Sequence, residues 1–263
     1  MNLPITSREY KLMLDASRFE QRQNSVATFW TLVSHLATKQ GGKVAEMQDE
    51  VEERRTWYLD TPEQALHQRG YSLRIRRAGK HQVTLKYRSS DRYLAAACDV
   101  SSTLAGKTKF EEDVLPQQSK FAHSNSVQSE TMPALATVHQ ASLLFPGLQR
   151  LNIAGDTPLQ RVGDFTAHEI VYRVGKIKFG GKPVVKACLS FWYLDGISLA
   201  MPLAVEFSFD YDLPGSVQTG DGELEQFPLS VVAGATQLFR TLQKYAVWLD
   251  SSGSTKTDFA YRG

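Results

Sequence analysis

Charged side chains recur at every second position in several short segments. Glu9-x-Lys11, Arg74-x-Arg76 and Lys109-x-Glu111-x-Asp113 show the pattern most clearly. Because side chains alternate between the two faces of a β-strand, each segment is predicted to be a strand with one charged face. The cationic residues on these faces are Lys11, Arg74, Arg76, Lys86, Lys109 and Arg173. The acidic residues are Glu9, Glu111, Asp113 and Glu206.

The opposite faces of the same strands are apolar and need to be covered. Leu12 and Leu14 alternate with charged residues in the first segment, and Leu73 and Ile75 do so in a later one. Several helices are predicted along the chain and can cover these faces. We therefore predict an α+β fold in which a sheet, with helices packed outside, closes into a barrel with a charged lumen. The alternative is a sheet whose charged face is simply solvated.

A lumen that holds both signs of charge points to a particular kind of ligand. Buried charges without partners cost several kcal/mol each, so they need compensation. Arginine and lysine bind phosphate oxygens, whereas carboxylates bind Mg²⁺ or Mn²⁺. The charge pattern therefore predicts a phosphate polyanion together with a divalent metal.

The remaining elements follow from hydrophobic periodicity and from turn residues. Strands are predicted at 5–14, 54–59, 71–77, 81–88, 108–114, 166–179, 183–194 and 199–211. Helices are predicted at 19–39, 60–69, 134–145 and 230–249. Asp60 is interpreted as a helix cap rather than a catalyst. The polar, serine-rich segment 116–131 is predicted to be a loop, and 251–263 a polar tail.

The composition excludes several classes of protein. Among 263 residues, 30 are Lys or Arg and 28 are Asp or Glu, which leaves a net charge of only +2. A protein that coats nucleic acid usually carries a stronger positive charge. The two cysteines, Cys98 and Cys188, form no C-x-x-C pair, which argues against a zinc or disulfide framework. The absence of a signal-peptide pattern or a long apolar run predicts a soluble, cytoplasmic protein without a membrane partner.

The order of these motifs resembles the CYTH domain of the triphosphate tunnel metalloenzyme superfamily. The most specific part is residues 57–77, WYLDTPEQALHQRGYSLRIRR, which resembles that family's aromatic–Asp-Thr-Pro, glycine and L-R-x-R block. The segment VTLKY (83–87) resembles the strand that bears a substrate lysine, here Lys86. The other matching positions are Ser7-x-Glu9-x-Lys11, Lys109-x-Glu111-x-Asp113, Glu206-x-Ser208 and Lys256 in TKTDFAYRG.

The resemblance implies one tunnel domain over residues 1–263, built of eight antiparallel strands in two halves that join near 146–163. It implies metal-dependent hydrolysis of inorganic triphosphate or an organic triphosphate, with Mg²⁺ or Mn²⁺ as cofactor. The residues that it assigns to phosphate binding are Lys11, Arg74, Arg76, Lys86, Lys109, Arg173 and Lys256. Those assigned to the metal are Glu9, Glu111, Asp113 and Glu206, and those expected to be catalytic are Glu9, Lys11 and Glu111.

The sequence departs from the family pattern at two of the expected metal ligands. Ser7 and Ser208 stand where the family has glutamate, and a hydroxyl is a weaker ligand for a hard cation. Asp210 lies on the same strand face as Ser208 and can compensate for it.

The strand of Arg173 aligns poorly with the family. Val171 occupies a position that is often basic there. Lys176 and Lys178 fall on the opposite face from Arg173 unless a β-bulge intervenes.

Two other functions remain open at this point. The first is a non-catalytic protein that binds polyphosphate or a nucleotide and has a reduced metal site. The second is a class IV adenylate cyclase, which ranks last because no H-F-x-x-G-like element is present near the start of the sequence. No nucleic-acid polymer is expected as a partner.

Overall fold

The computed structural model describes residues 3–47, 50–195, 201–213, 227–252 and 255–262. The strands are β1 (Ser7–Leu14), β2 (Lys43–Val44), β3 (Glu50–Asp60), β4 (Tyr71–Ala78), β5 (Lys80–Ser89), β6 (Gly106–Val114), β7 (Ser119–Ser129), β8 (Gln160–Arg161), β9 (Ala167–Lys178), β10 (Val185–Leu194) and β11 (Ala204–Asp212). The helices are α1 (Arg22–Lys39), α2 (Ala65–Gln68), α3 (Arg92–Ala97), α4 (Val138–Leu144), α5 (Leu229–Leu242) and α6 (Lys256–Arg262). Residues 199–200 of the strand predicted at 199–211 lie outside the described residues.

The sheet closes into a ring, as predicted for a tunnel. Its strand order is β2-β9-β10-β11-β1-β6-β7-β5-β4-β3-β8, and an additional pairing of β9 with β3 completes the circle. Nine strands of the described chain form the ring, not eight, while the two-residue strands β2 and β8 extend it. All ring pairings are antiparallel except that of β1 with β6, which is parallel.

Helices cover one half of the outer face of the ring. α1 buries Val26, Phe29 and Val33, and α5 buries Leu238 and Phe239. These side chains share a core with the apolar faces of the consecutive strands β9, β10, β11 and β1. Apolar residues at helical spacing thus meet apolar residues at strand spacing, which turns the charged strand faces inward.

A second core covers the other half of the ring. Leu73 and Ile75 of β4 and Val83 and Leu85 of β5 are all buried, and they pack with α2, α4 and nearby loop residues. This hairpin turns at Gly79, whose φ of +76° favours glycine. In the described part of the chain, no helix combines the length and apolar character needed to cross a membrane.

The prediction of a loop at 116–131 is wrong, because Ser119–Ser129 form β7. β7 pairs with β5 on one side and with β6 on the other. Its inner face carries Ser124 and Ser126, which line the lumen, while Val127 on the opposite face is buried in the second core. The segment is polar because it faces a polar cavity, and the composition alone resembled that of a solvated loop.

The predicted polar tail at 251–263 instead ends in helix α6. Ala260 and Tyr261 are buried and pack, together with Phe259, against Trp192 and Tyr58. This apolar cluster lies at one end of the tunnel, so α6 positions Lys256 next to the lumen.

A β-bulge interrupts the pairing of β9 with β10. Tyr172 faces Leu189 and Gly175 faces Ala187, so two residues of β9 stand opposite one residue of β10. Beyond the bulge, Gly175 lies against Trp30 of α1, where an added Cβ would come within 2.3 Å of the ring. The extra residue shifts the alternation of side chains along β9. The apolar residues after the bulge therefore face the outer core, and the residues between them face the inner side of the sheet.

Candidate functional site

The inside of the ring is a charged cavity of about 520 Å³. Within the described chain, ten cations and six carboxylates line it, an excess of four positive charges at neutral pH. The cations are Lys11, Arg54, Arg74, Arg76, Lys86, Arg88, Lys107, Lys109, Arg173 and Lys256. The carboxylates are Glu9, Glu52, Glu111, Asp113, Glu206 and Asp210.

All eleven residues selected from the sequence line this cavity. They are Glu9, Lys11, Arg74, Arg76, Lys86, Lys109, Glu111, Asp113, Arg173, Glu206 and Lys256. The structure separates them into two groups along the tunnel, one around Glu111 and the other around Lys256. Arg173 is the most exposed of the cations named in advance, with 46% of its side chain accessible, and it pairs with Glu50 and Glu52 near the mouth.

Three carboxylates meet in the first group. Carboxylate oxygens of Glu9, Glu111 and Asp113 all lie within 4.8 Å of one another. The parallel pairing of β1 with β6 sets Glu9 opposite Asp113, and Glu111 lies two residues before Asp113 on the same strand face. The cluster therefore results from the pairing of β1 with β6 and from the alternation of side chains along β6.

Lysine and arginine side chains surround these carboxylates. Lys11 Nζ lies 2.6 Å from Asp113 Oδ1 and 2.9 Å from Glu9 Oε2. Lys86 Nζ lies 2.5 Å from Glu111 Oε1, and Arg88 Nη2 lies 2.7 Å from Asp113 Oδ2. Each carboxylate of the cluster thus has a cationic partner.

The pKa values of Glu111, Asp113 and Lys86 are all lowered, the first two by neighbouring cations and the third by burial. Burial alone would raise the pKa of Glu111, but Lys86 and Lys109 outweigh burial and hold that pKa at about 2. The pKa of Asp113 is likewise well below its usual value, since Lys11 and Lys86 outweigh burial. Burial lowers the pKa of Lys86 despite its acidic partners. Both carboxylates are therefore ionised throughout the physiological range.

The second group is centred on Glu169, which is fully buried. Its Oε2 accepts hydrogen bonds from Arg54 Nε and from Thr56 Oγ1, both at 2.8 Å. Its Oε1 accepts from Ser190 Oγ at 2.7 Å and from Lys256 Nζ at 3.2 Å. The network thereby ties β3, β9, β10 and α6 together at the wall of the tunnel.

Glu206 belongs to this second group and not to the carboxylate cluster. Its Oε1 lies 3.0 Å from Lys256 Nζ, and in the sheet it stands opposite Met13. The residue of β11 that stands opposite Glu9 is Asp210. Burial and the charges of Glu9 and Asp212 raise the pKa of Asp210 to about 6.

Three arginines present unused hydrogen-bond donors. The Nε atoms of Arg74, Arg76 and Arg88 are buried and have no hydrogen-bond partner among the described residues. Burial and the neighbouring charge of Arg74 lower the pKa of Arg76 to about 9. Unsatisfied, crowded guanidinium groups of this kind are stabilised by an anionic ligand.

Sequence reasoning missed Glu169, Arg54 and Asp212 and left Arg88 unassigned. Glu169 shares its strand face with Arg173, four residues along, so the period-two rule was the signal that could have found it. Arg54 is the first residue of the strand predicted at 54–59, but β3 begins at Glu50, and the charged alternation of Glu52 with Arg54 becomes visible only when the strand is extended to that residue.

The donor set of the carboxylate cluster suits Mg²⁺ or Mn²⁺. Both ions prefer oxygen ligands, and Mg²⁺ is usually held by one or two carboxylates with water completing its shell. Glu9, Glu111 and Asp113 supply three ionisable carboxylates within one ion's reach. These residues therefore fit the metal that the resemblance implies.

Comparison with known proteins confirms the resemblance to the CYTH domain. The family model of the CYTH domain matches residues 31–122. A structure from Hippeastrum, described as a candidate adenylyl cyclase with a dominant triphosphatase activity, shares the fold: it aligns over 98% of this chain and 95% of its own, with 13% identity and a TM-score of 0.50. A candidate adenylate cyclase from Bacillus halodurans aligns over 98% of both chains with 15% identity and a TM-score of 0.45. No curated protein sequence matches significantly.

Proposed function

We propose that the tunnel binds a triphosphate-containing small molecule and hydrolyses it with the help of Mg²⁺ or Mn²⁺. The observation that carries the proposal is the location of a three-carboxylate cluster beside arginines with unused donors, inside a cavity with excess positive charge. A triphosphate supplies the negative charge and the acceptor oxygens that this cavity needs.

The two groups have different tasks in this proposal. Arg74 and Arg76 bind phosphate oxygens through their free N–H groups, and Lys256 neutralises phosphate charge beside Glu169 and Glu206. Glu9, Glu111 and Asp113 hold the metal, which when bound neutralises phosphate charge and orients the reacting groups. Glu206 pairs with Lys256 and therefore acts within the second group rather than as a metal ligand.

Hydrolysis of inorganic triphosphate does not require the protein to form a covalent bond with the substrate. A water oxygen forms a bond to the terminal phosphorus while the bond from that phosphorus to the bridging oxygen breaks. Diphosphate leaves with the bridging oxygen, and the proton of the attacking water passes to solvent. Catalysis therefore rests on positioning and on charge stabilisation. Lys11, which is paired with Glu9 and Asp113, is placed to balance charge that develops on the phosphate chain.

The test is phosphate release from inorganic triphosphate with Mg²⁺ or Mn²⁺. We expect Glu111→Gln to reduce the rate on the order of a hundredfold, as loss of one charge-stabilising group commonly does. Glu112→Gln is the matched control, since Glu112 faces away from the lumen and pairs with Arg8. No release by the unmodified protein at any metal concentration would refute hydrolysis.

A second function, binding without turnover, is favoured by one observation. Every carboxylate of the cluster already has a cationic partner, so the tunnel can be electrostatically satisfied without a metal. This function predicts triphosphate binding that survives Glu111→Gln but is weakened by Arg74→Ala. Formation of cyclic AMP from ATP would instead favour a cyclase.

A further inference from the structure

Glu52 of β3 lies between two arginines on the inner wall of the tunnel. Its Oε1 accepts a hydrogen bond from Arg54 Nη1, and its Oε2 accepts one from Arg173 Nη2, both at 3.2 Å. The register of β3 against β9 brings these residues together, because Glu52 stands opposite Val171, two residues before Arg173. All three charged side chains line the cavity. One carboxylate therefore occupies donors of two arginines at the same time.

Arg54 is a neighbour of the arginines that we propose as phosphate ligands. Arg54 Nε and Arg76 Nε both approach Glu169 Oε2, at 2.8 and 3.6 Å. The Nε atom of Arg76 has no hydrogen-bond partner among the described residues, and neither has Arg54 Nη2. Because a phosphate group offers several acceptor oxygens, an anion that binds Arg76 can also accept a hydrogen bond from Arg54.

Glu52 and Glu169 are held in place to different degrees. Glu169 is fully buried and accepts four hydrogen bonds. The side chain of Glu52 is 32% exposed, and in the described part of the chain its carboxylate is bonded to the two arginines alone. Partly exposed ion pairs contribute little to stability, whereas removal of a buried anion leaves buried cations uncompensated. Glu52 is therefore the counterion that an incoming anion can displace.

We infer that Arg54 is a further phosphate-binding residue of the tunnel and that Glu52 occupies its donors until the ligand binds. The inference rests on the proposed function and adds to it a competition for the same guanidinium groups. A terminal phosphate group carries more negative charge than a carboxylate at neutral pH, so it replaces Glu52 with a gain in charge-assisted hydrogen bonds. An anion with a single charge gains nothing from this exchange. Glu52 thereby favours polyvalent phosphate over such anions.

The first test is calorimetric titration of inorganic triphosphate into the unmodified protein and into Glu52→Gln. Loss of the competing charge should tighten binding about fivefold, in line with the strength of partly exposed ion pairs. Glu53→Gln is the matched control, because Glu53 is the next residue of the strand, faces outward and pairs with His168. Its triphosphate affinity should equal that of the unmodified protein. A merely structural role of Glu52 would not tighten binding.

The second test concerns Arg54. Arg54→Gln should weaken triphosphate binding at least about tenfold, because charge-assisted hydrogen bonds are lost. Arg55→Gln should have no effect, since Arg55 faces outward and pairs with Asp195. The gain from Glu52→Gln should be smaller when it is combined with Arg54→Gln, because only Arg173 is then released.

The outcomes separate this inference from the proposed function. Unchanged or weaker triphosphate binding by Glu52→Gln would overturn the role of Glu52 as a competitor. Equal affinities of Arg54→Gln and the unmodified protein would overturn the assignment of Arg54 as a phosphate ligand. If Arg54→Gln does not fold, Glu52→Gln alone decides the inference, because Glu52 is partly exposed. Failure of the unmodified protein to bind triphosphate would overturn the proposed function, and it is detected before any variant is measured.

Discussion

Glu169 holds together cations that come from three separate elements. Arg54 of β3, Arg76 of β4 and Lys256 of α6 all lie within 3.6 Å of its carboxylate. Burial alone would raise the pKa of Glu169, but Lys256 and Arg76 outweigh it and hold the pKa well below 4.5. Because the folded-state pKa is depressed, the resulting stability is present above pH 4.5 and is lost as the pH falls below that value.

We predict that Glu169→Gln lowers the free energy of unfolding at pH 7 by about 3 kcal/mol, since it leaves buried cations without their anion. The difference from the unmodified protein should shrink as the pH falls below 4.5. Urea unfolding at pH 7 and at acidic pH measures both effects. Glu53→Gln removes a 62%-exposed partner of His168 and should have little effect. A deficit that stays constant at all pH values would contradict the role of charge.

Lys86 contacts the carboxylate cluster that we propose as the metal site. Its Nζ lies 2.5 Å from Glu111 Oε1 and 3.8 Å from Asp113 Oδ2. We predict that Lys86→Met strengthens Mn²⁺ binding in the absence of phosphate by about tenfold and weakens triphosphate binding without metal by a similar factor. Both affinities are measurable by calorimetry, with Lys80→Met as an exposed control. Weaker Mn²⁺ binding in the variant would show that Lys86 does not oppose the metal.

At the level of elements, alternation of residue types predicts some strands well and others poorly. The β4–β5 hairpin was predictable, because Leu73 and Ile75 are apolar, Arg74 and Arg76 are charged, and Gly79 marks the turn. β7 was missed because its inner residues face a polar lumen, so its composition does not differ from that of a loop. Glu206 was placed with the metal ligands because the sequence does not reveal the register of β1 against β11.

Asp60 supports the segment that joins β3 to α2. Its carboxylate accepts hydrogen bonds from the backbone amides of Thr61, Leu66 and His67, at 2.7 to 2.9 Å, and from Tyr261 Oη at 3.2 Å. These contacts agree with its interpretation as a cap, and they also anchor α6.

We predict that Asp60→Ala lowers the free energy of unfolding by about 2 kcal/mol, because buried amides lose their acceptor. Asp60→Asn should recover part of this loss, as its amide oxygen can still accept. Chemical unfolding gives the stability. Triphosphate affinity of the folded variant should remain unchanged, and a large loss of affinity at full stability would instead make Asp60 part of the binding site.

At the level of the whole molecule, segregation of charge is the main property of this fold. The chain has a net charge of +2, yet the tunnel lining has an excess of four positive charges. The net charge of the chain therefore gives no indication of the electrostatic field inside the ring. The assignment of charged residues to strand faces does give one. Most of the tunnel's charges were predictable in this way, because the alternation of charged and apolar residues assigns each side chain to one face of its strand. The bulge in β9 and the position of Glu169 were not, since both depend on pairings between distant parts of the chain.

We propose that the tunnel is a triphosphate site in which arginines with unsatisfied hydrogen-bond donors bind the anion. Calorimetric titration of inorganic triphosphate into the unmodified protein, Arg74→Gln and Arg77→Gln tests it most directly. Arg74 lines the tunnel, while Arg77, three residues along the same strand, is exposed and absent from the lining. Loss of charge-assisted hydrogen bonds should weaken binding by Arg74→Gln at least about tenfold. Arg77→Gln should bind as tightly as the unmodified protein, and equal affinities for all three proteins would contradict the account.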